Sequence, residues 1–175
     1  MSDLIRAFGA GPRLVYAMSG MGKSWLCAMY PDRTFDTDVA FDAALSDAFP
    51  TCNVAERRRL WRALARACPW ESPSSRAFDL WARTRRRFVA DILTQLQRTD
   101  LRLVLTNLTL LPWPYDAYFA IEIGQYHEHL RLVGRAADNG QSEGANAQLE
   151  GYAPLRRLPP GSYLTEQPEL IALLG

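Results

Sequence analysis

Residues 17–24 (AMSGMGKS) combine small, flexible residues with an ammonium group and a hydroxyl. Gly20 and Gly22 let the backbone wrap closely around an anion, so that backbone amides of the loop and of the following helix face it. Lys23 supplies a positive charge for phosphate oxygens, and the hydroxyl of Ser24 is a suitable ligand for Mg²⁺. The chemistry indicated is the binding of a polyphosphate chain by what we call the glycine loop, residues 17–24.

The flanking sequence favours this interpretation over a chance glycine turn. Residues 13–18 (RLVYAM) predict a short buried strand and residues 25–30 (WLCAMY) a helix, which is the order that a P-loop requires. Ala17 stands where the pattern usually has glycine, at the entry of the loop. Lys23 is the only lysine among 20 Lys and Arg residues, and a compact ammonium fits a tight loop better than a planar guanidinium. We therefore predict a nucleoside-triphosphate site formed by Ser19, Gly20, Met21, Gly22, Lys23, Ser24 and Trp25.

Composition limits the class of protein. A chain of 175 residues with 48% hydrophobic and 22% charged residues predicts one globular domain with a substantial core. A net charge of +1 gives no global field for nucleic acid or a membrane. The three cysteines are odd in number and lack metal-ligand spacing, which predicts reduced thiols. Because no signal peptide or membrane-spanning run is present, we expect a cytoplasmic monomer or dimer without a membrane partner.

Apolar periodicity predicts strands that alternate with helices. The remaining strands are expected at residues 33–38, 101–108, 118–123 and 162–166. Helices are expected across 39–98, with breaks at prolines, at 126–135 and at 168–174. A polar loop is expected at 136–151. This alternation predicts an α/β protein with three layers, α/β/α, and a five-stranded parallel sheet.

Two acidic residues, Asp36 and Asp38, end the second predicted strand, at the sheet edge where open parallel sheets bind ligands. The alternative is that Asp38 merely caps a helix that begins at Val39. The third strand ends in the neutral pair Thr106 and Asn107, where many P-loop proteins have an aspartate for Mg²⁺. The negative charge near the metal is therefore expected from Asp36 or Asp38.

Arginine is concentrated in the helical region. One expectation is that these arginines lie on solvated helix faces, as most charged runs do. The alternative is that they form an anion-binding wall or contact a phosphate backbone. The two clusters are Arg57, Arg58, Arg59, Arg62 and Arg66, then Arg83, Arg85, Arg86 and Arg87. His127 and His129 lie two apart on a helix and do not share a face, so we expect solvated or hydrogen-bonded histidines, not metal ligands.

Three patches resemble the P-loop nucleoside and nucleotide kinases, including the nucleoside-monophosphate, shikimate and gluconate kinases. They are the glycine loop, the Asp-x-Asp of residues 36–38, and residues 130–135 (LRLVGR), which look like the start of an adenylate-kinase lid. In size and style the chain is similar to small phage-encoded kinases such as 5-hydroxymethyluracil DNA kinases. The resemblance implies one kinase domain over 1–175, with an acceptor-binding helical region at about 39–98 and a lid at about 126–151.

The predicted activity is transfer of the γ-phosphate of ATP, with Mg²⁺, to a hydroxyl on a nucleotide-type acceptor. The most specific version is a hydroxymethylpyrimidine in phage DNA, in the host cytoplasm. Catalytic roles fall to Lys23, Asp36, Asp38, Arg131 and Arg135, metal binding to Ser24 and Asp36, and acceptor binding to Asp38, Asn107, Arg85 and Arg86. The alternatives are a nucleoside-monophosphate kinase, a small-alcohol kinase, and a non-catalytic nucleotide-binding module.

Overall fold

The computed structural model describes residues 11–107, 115–135 and 155–175. The chain divides into two compact units. Unit 1 comprises residues 1–36 and 95–175, and unit 2 comprises residues 37–94. The expectation of a single kinase domain stays a prediction.

Unit 1 contains a five-stranded sheet whose strands are all parallel, which confirms the predicted sheet. Their spatial order is β2-β3-β1-β4-β5. The inner strands are almost continuously apolar, as is typical of parallel strands that are covered on both faces. The strands are β1 (Arg13–Ala17), β2 (Thr34–Asp36), β3 (Leu103–Thr106), β4 (Ala117–Ile121) and β5 (Leu155–Leu158).

Six α-helices are found among the described residues, so the architecture is compatible with three α/β/α layers. Three lie in unit 1 and three begin in unit 2, and none of them is long and apolar enough to cross a membrane. They are α1 (Lys23–Met29), α2 (Thr37–Ala48), α3 (Val54–Arg66), α4 (Arg76–Leu96), α5 (Tyr126–Leu132) and α6 (Pro168–Leu174).

The strand order creates a switch point at the centre of the sheet. Strand β1 lies beside β3, with Val15 opposite Leu105, and beside β4 on its other side, with Val15 opposite Ala117. The chain leaves β1 toward the β2 edge but leaves β3 toward β4. Ligands of open parallel sheets bind outside the carboxyl ends of two such strands. The glycine loop follows β1, so it lies at this point.

Two strand predictions need correction. The second strand ends at Asp36, and α2 begins at Thr37, two residues earlier than expected. The fifth strand is not residues 162–166, which hold a 3-10 turn at Leu164–Glu166, but Leu155–Leu158. As an edge strand, β5 tolerates the charged pair Arg156 and Arg157 that obscured its pattern. The predicted polar loop at 136–151 lies outside the described residues.

Unit 2 is organised by aromatic packing and helix caps. The Phe41 ring lies 5.8 Å from that of Trp61 and 5.4 Å from that of Phe88, measured between centroids. Asn53 caps α3: its Oδ1 accepts from the Glu56 amide at 3.0 Å, and a Glu56 carboxylate oxygen accepts from the Asn53 amide at 2.9 Å. This reciprocal pair satisfies two amides that a helix start otherwise leaves unpaired.

We expect Asn53→Ala to lower the free energy of unfolding by about 1 kcal/mol, because the Glu56 amide loses its acceptor. Urea unfolding followed by circular dichroism measures the change. Asn53→Asp is the matched control, since its carboxylate keeps an acceptor at the same position. Equal stability of Asn53→Ala and the wild type would contradict a stabilising cap.

Candidate phosphate-binding site

The turn of the glycine loop depends on two glycines in the left-handed region. Gly20 has φ of 89° and Gly22 has φ of 80°, which side-chain-bearing residues rarely adopt. Space is also limited at both positions. A Cβ on Gly20 would lie 3.1 Å from Nε2 of His129, and one on Gly22 would lie 3.1 Å from Cδ1 of Tyr163. The loop is therefore packed closely against two side chains from the far end of the chain.

The carbonyl groups of the loop are held by donors within the protein. Lys23 Nζ lies 3.3 Å from the carbonyl oxygens of both Ala17 and Met18, and the Lys23 side chain is buried. Three further donors engage the carbonyls that follow. The Tyr126 hydroxyl donates to Ser19 at 3.3 Å, the Leu164 amide to Met21 at 3.0 Å, and the Leu26 amide to Gly22 at 2.9 Å.

Several amides of the same loop have no protein acceptor. Within the described ranges, no hydrogen bond is formed by the amides of Ser19, Gly20 or Gly22. Successive unpaired amides in a loop with left-handed turns form a concavity that favours anions. Helix α1 has only seven residues, so the amides and Lys23, more than a helix dipole, give the site its preference for an anion.

A hydroxyl and a carboxylate meet next to Lys23. The Ser24 hydroxyl donates to Oδ2 of Asp36 at 3.0 Å, and Asp36 is 5% exposed. No group of three or more His, Cys, Asp or Glu side chains with metal-ligand placement occurs among the described residues. Mg²⁺ in phosphate sites commonly takes only one or two protein oxygens and completes its shell with water and phosphate. The pair of Ser24 and Asp36 fits that limited requirement.

Asn107 adjoins the glycine loop from the end of β3. Its Nδ2 lies 3.4 Å from the Ser19 hydroxyl oxygen, so the two predicted site residues are brought together. The carboxylate that is hydrogen-bonded to the loop, that of Asp36, comes from the end of β2, which β3 separates from β1. The structure thus unites the loop, Asp36 and Asn107 within unit 1.

The thiol of Cys27 on α1 stays protonated at neutral pH, so it is not suited to act as a nucleophile. The pKa of its thiol is raised to about 11, mainly by burial, although a hydrogen bond with Thr34 lowers it. The negative charge of Asp36 raises it further, and Lys23 lowers it. Cys27 is therefore a neutral packing residue at neutral pH. The three cysteines are free thiols, as predicted.

Asp38, Arg85 and Arg86 belong to unit 2. Asp38 is the second residue of α2, in its first turn, and does not precede the helix. The Arg85 guanidinium carbon lies 5.3 Å from the ring centroid of Trp81, a cation–π contact. Arg86 is exposed and forms no ion pair among the described residues.

Arg131 lies on α5 but points away from the helix face that is buried. Tyr126, His129 and Leu130 are the buried residues of α5, whereas Arg131 is 69% exposed and bonded to both carboxylate oxygens of Glu128, at 2.9 and 2.6 Å. This hydrogen-bonded pair lowers the pKa of Glu128 and raises that of Arg131. At about 100° per residue, Arg131 is rotated by about 200° from His129. Arg135, also exposed, follows the helix.

His129 is a residue whose position the sequence analysis missed. Of the two expectations, a solvated or a hydrogen-bonded ring, the second is confirmed for His129. The side chain is fully buried, and its Nδ1 accepts a hydrogen bond from the Gly161 amide at 3.0 Å. Its Nε2 has no hydrogen-bond partner. Burial lowers the pKa of His129, with an opposing effect from the backbone of Gly20. The spacing of Tyr126, His129 and Leu130 on one helical face was the available signal.

The lowered pKa of His129 predicts acid sensitivity. Above pH 6.5, the ordinary pKa, the ring is neutral in both the folded and unfolded chains, and its contribution to stability is complete. Below pH 6.5 the unfolded chain binds the proton first, so the free energy of unfolding falls until the lowered pKa is passed. Urea unfolding between pH 8 and pH 5 should show a smaller decline for His129→Gln than for the wild type.

His127→Gln is the control for this measurement, since it changes an exposed histidine on the same helix. The free energy of unfolding of this variant should decline between pH 8 and pH 5 as that of the wild type does. A decline in His129→Gln as steep as that of the wild type would show that the buried ring does not cause it.

Comparison of the chain with protein-family models, curated proteins and solved structures found no significant match. What the site does must therefore follow from its own chemistry. That chemistry comprises unpaired loop amides, one buried ammonium group, and a hydroxyl beside a carboxylate.

Proposed function

We propose that this chain is an ATP-dependent phosphotransferase with a P-loop kinase fold, which moves the γ-phosphate of ATP to a hydroxyl group. One observation carries the proposal. The carbonyls flanking the two glycines are engaged by Lys23, Tyr126, Leu164 and Leu26, while neighbouring amides have no acceptor in the described parts of the chain. This arrangement suits a chain of phosphate oxygens.

The roles of the residues follow from the demands of phosphoryl transfer, which is mostly positioning and neutralisation of charge. The loop amides bind the phosphates, and the Lys23 ammonium exchanges the carbonyl oxygens of Ala17 and Met18 for phosphate oxygens. Ser24 and Asp36 would hold Mg²⁺, which would supply neutralisation of phosphate charge. Asn107 hydrogen-bonds the acceptor, and Asp38 takes the proton of its hydroxyl. For Arg131 and Arg135 to close over the phosphates, as we propose, Arg131 must leave its pair with Glu128 and turn from its exposed position.

The charge of unit 2 supports an acceptor that itself bears phosphate. Residues 37–94 contain ten arginines and seven acidic residues, although the whole chain has a net charge of only +1. Five exposed arginines of this unit form no ion pair within the described residues: Arg59, Arg66, Arg76, Arg83 and Arg86. We propose a nucleotide-type acceptor, and most specifically a hydroxymethylpyrimidine in DNA.

Lys23→Ala should reduce phosphate transfer by about 10²–10³-fold or more, because the charge stabilisation at the transferring phosphate is lost. Lys23→Arg should be nearly as inactive, since a planar guanidinium does not fit where a compact ammonium binds two carbonyls. Transfer is measured with γ-³²P-labelled ATP and the acceptor found in the panel below.

Both Lys23 variants should retain the circular dichroism spectrum of the wild type, which separates lost chemistry from lost folding. Full turnover by a folded Lys23→Ala would contradict the phosphotransferase proposal. Undiminished ATP binding without transfer to any acceptor would instead favour a non-catalytic nucleotide-binding module.

The acceptor is tested with labelled ATP and a panel of mononucleotides, shikimate-like alcohols, plain DNA and hydroxymethylpyrimidine DNA. We expect label on hydroxymethylpyrimidine DNA, with an apparent KM that rises with salt. Each duplex phosphate contact contributes about −0.9 to the log–log slope of the binding constant against salt. In the double variant Arg85→Ala/Arg86→Ala, the apparent KM for DNA should rise less steeply with salt.

The matched control is Arg98→Ala/Arg102→Ala, which removes two exposed arginines of unit 1 and should leave the salt dependence unchanged. Label on free mononucleotides or alcohols alone would refute DNA as the acceptor. It would leave phosphate transfer itself intact.

A further inference from the structure

The glycine loop is contacted from behind by two distant parts of the chain. They are residues 159–164 and His129, which together we call the brace. The segment 159–164, which follows β5, supplies the Leu164 amide to the Met21 carbonyl and the Tyr163 ring against Gly22. The same segment supplies the Gly161 amide to Nδ1 of His129. The brace therefore contacts the loop at Met21 and Gly22 directly and at Gly20 through His129.

Gly20 is the exception in the loop's hydrogen bonding. Within the described residues, its carbonyl receives no hydrogen bond, whereas those of its neighbours Ser19 and Met21 do. Next to Gly20 lies Nε2 of His129, the only buried side-chain polar atom without a partner in the described part of the chain. Nε2 of His129 thus lies beside the backbone of Gly20 without a hydrogen bond of good geometry, although that backbone already affects the ring, since it raises the pKa of His129 against the effect of burial.

The tautomer of His129 decides which atom is the donor. Because Nδ1 accepts from the Gly161 amide, the neutral ring carries its proton on Nε2, on the side of Gly20. The backbone of Gly20 favours the protonated ring, as a nearby carbonyl oxygen does. An unpaired buried N–H is unfavourable, so a small movement of the loop that brings the two groups together is stabilised.

We propose that His129 is a positioning residue of the phosphate site, whose Nε2–H donates to the Gly20 carbonyl when the loop holds a triphosphate. In a trans peptide the carbonyl and the following amide point in opposite directions. A bond from His129 to the Gly20 carbonyl therefore turns the Met21 amide away from His129. That amide now makes only a 3.4 Å contact to the Met18 carbonyl and is thereby released for a phosphate oxygen.

The groups around His129 determine how the proposed hydrogen bond to Gly20 responds to pH. The ring packs against Tyr126 on its own helix, against the glycine loop, which carries Lys23, and against the segment with Gly161, which contributes Tyr163. Glu128 and Arg131 on the same helix are exposed and paired with each other. Protonation of His129 would place a second N–H against the Gly161 amide, so the brace and the phosphate affinity should both weaken in acid.

This inference rests on the proposed function, and isothermal titration of Mg·ATP tests it with two substitutions of His129. His129→Asn retains an acceptor for the Gly161 amide but has no donor at the Nε2 position. We expect its dissociation constant for Mg·ATP to rise about tenfold, the loss of one hydrogen bond to the loop. His129→Gln places an amide donor near the Nε2 position and should restore most of the affinity. It should also lack the weakening of binding that the wild type shows as pH falls toward the lowered pKa of His129.

The control is His127→Asn, which should bind as the wild type does. A ¹⁵N spectrum of histidine-labelled wild-type protein gives a readout that needs no substitution. The Nε2 proton of His129 should move downfield and exchange more slowly with water when Mg·ATP is added. Wild-type affinity in a folded His129→Asn, or an unchanged Nε2 proton in the Mg·ATP complex, would overturn the role of His129. Failure of the wild type to bind Mg·ATP would instead contradict the proposed function.

Discussion

The structure around the site depends on one constraint, which is that the carbonyl groups of the glycine loop, with the exception of Gly20, are held by the protein. An anion is bound by a loop only where amides face it and carbonyls do not. Lys23 satisfies this locally, whereas the Tyr126 hydroxyl and the Leu164 amide come from more than a hundred residues along the chain. The parallel sheet brings these distant residues behind the loop, because β4 and β5 continue the sheet beyond β1.

The same strand order explains the choice of acidic residue. Strand β3 ends beside β1 in Thr106 and Asn107, and an amide there contacts Ser19 without adding charge. The carboxylate of Asp36 comes from the next strand outward and is hydrogen-bonded to Ser24. In the proposed phosphotransferase, this division leaves the position beside the loop neutral and places the single negative charge at the hydroxyl that is suited to Mg²⁺.

Much of this arrangement could be predicted from the sequence, because local signals were strong. The glycines, the strand and helix beside them, and the Asn53 cap are all encoded within a few residues. The fifth strand was missed because Arg156 and Arg157 break its apolar pattern, which an edge position permits. The burial of His129 and the identity of its partners could not be predicted, because Gly20 and Gly161 are brought to it only by the tertiary fold.

The most direct test of the account is a ¹H–¹⁵N spectrum of the protein titrated with inorganic tripolyphosphate and Mg²⁺, which isolates recognition of the phosphate chain from any acceptor. The account predicts large downfield shifts of the Ser19, Gly20 and Gly22 amides, since these unpaired donors gain phosphate acceptors. Amides of unit 2 should change less. Unchanged resonances of the glycine loop at saturating tripolyphosphate would contradict the account.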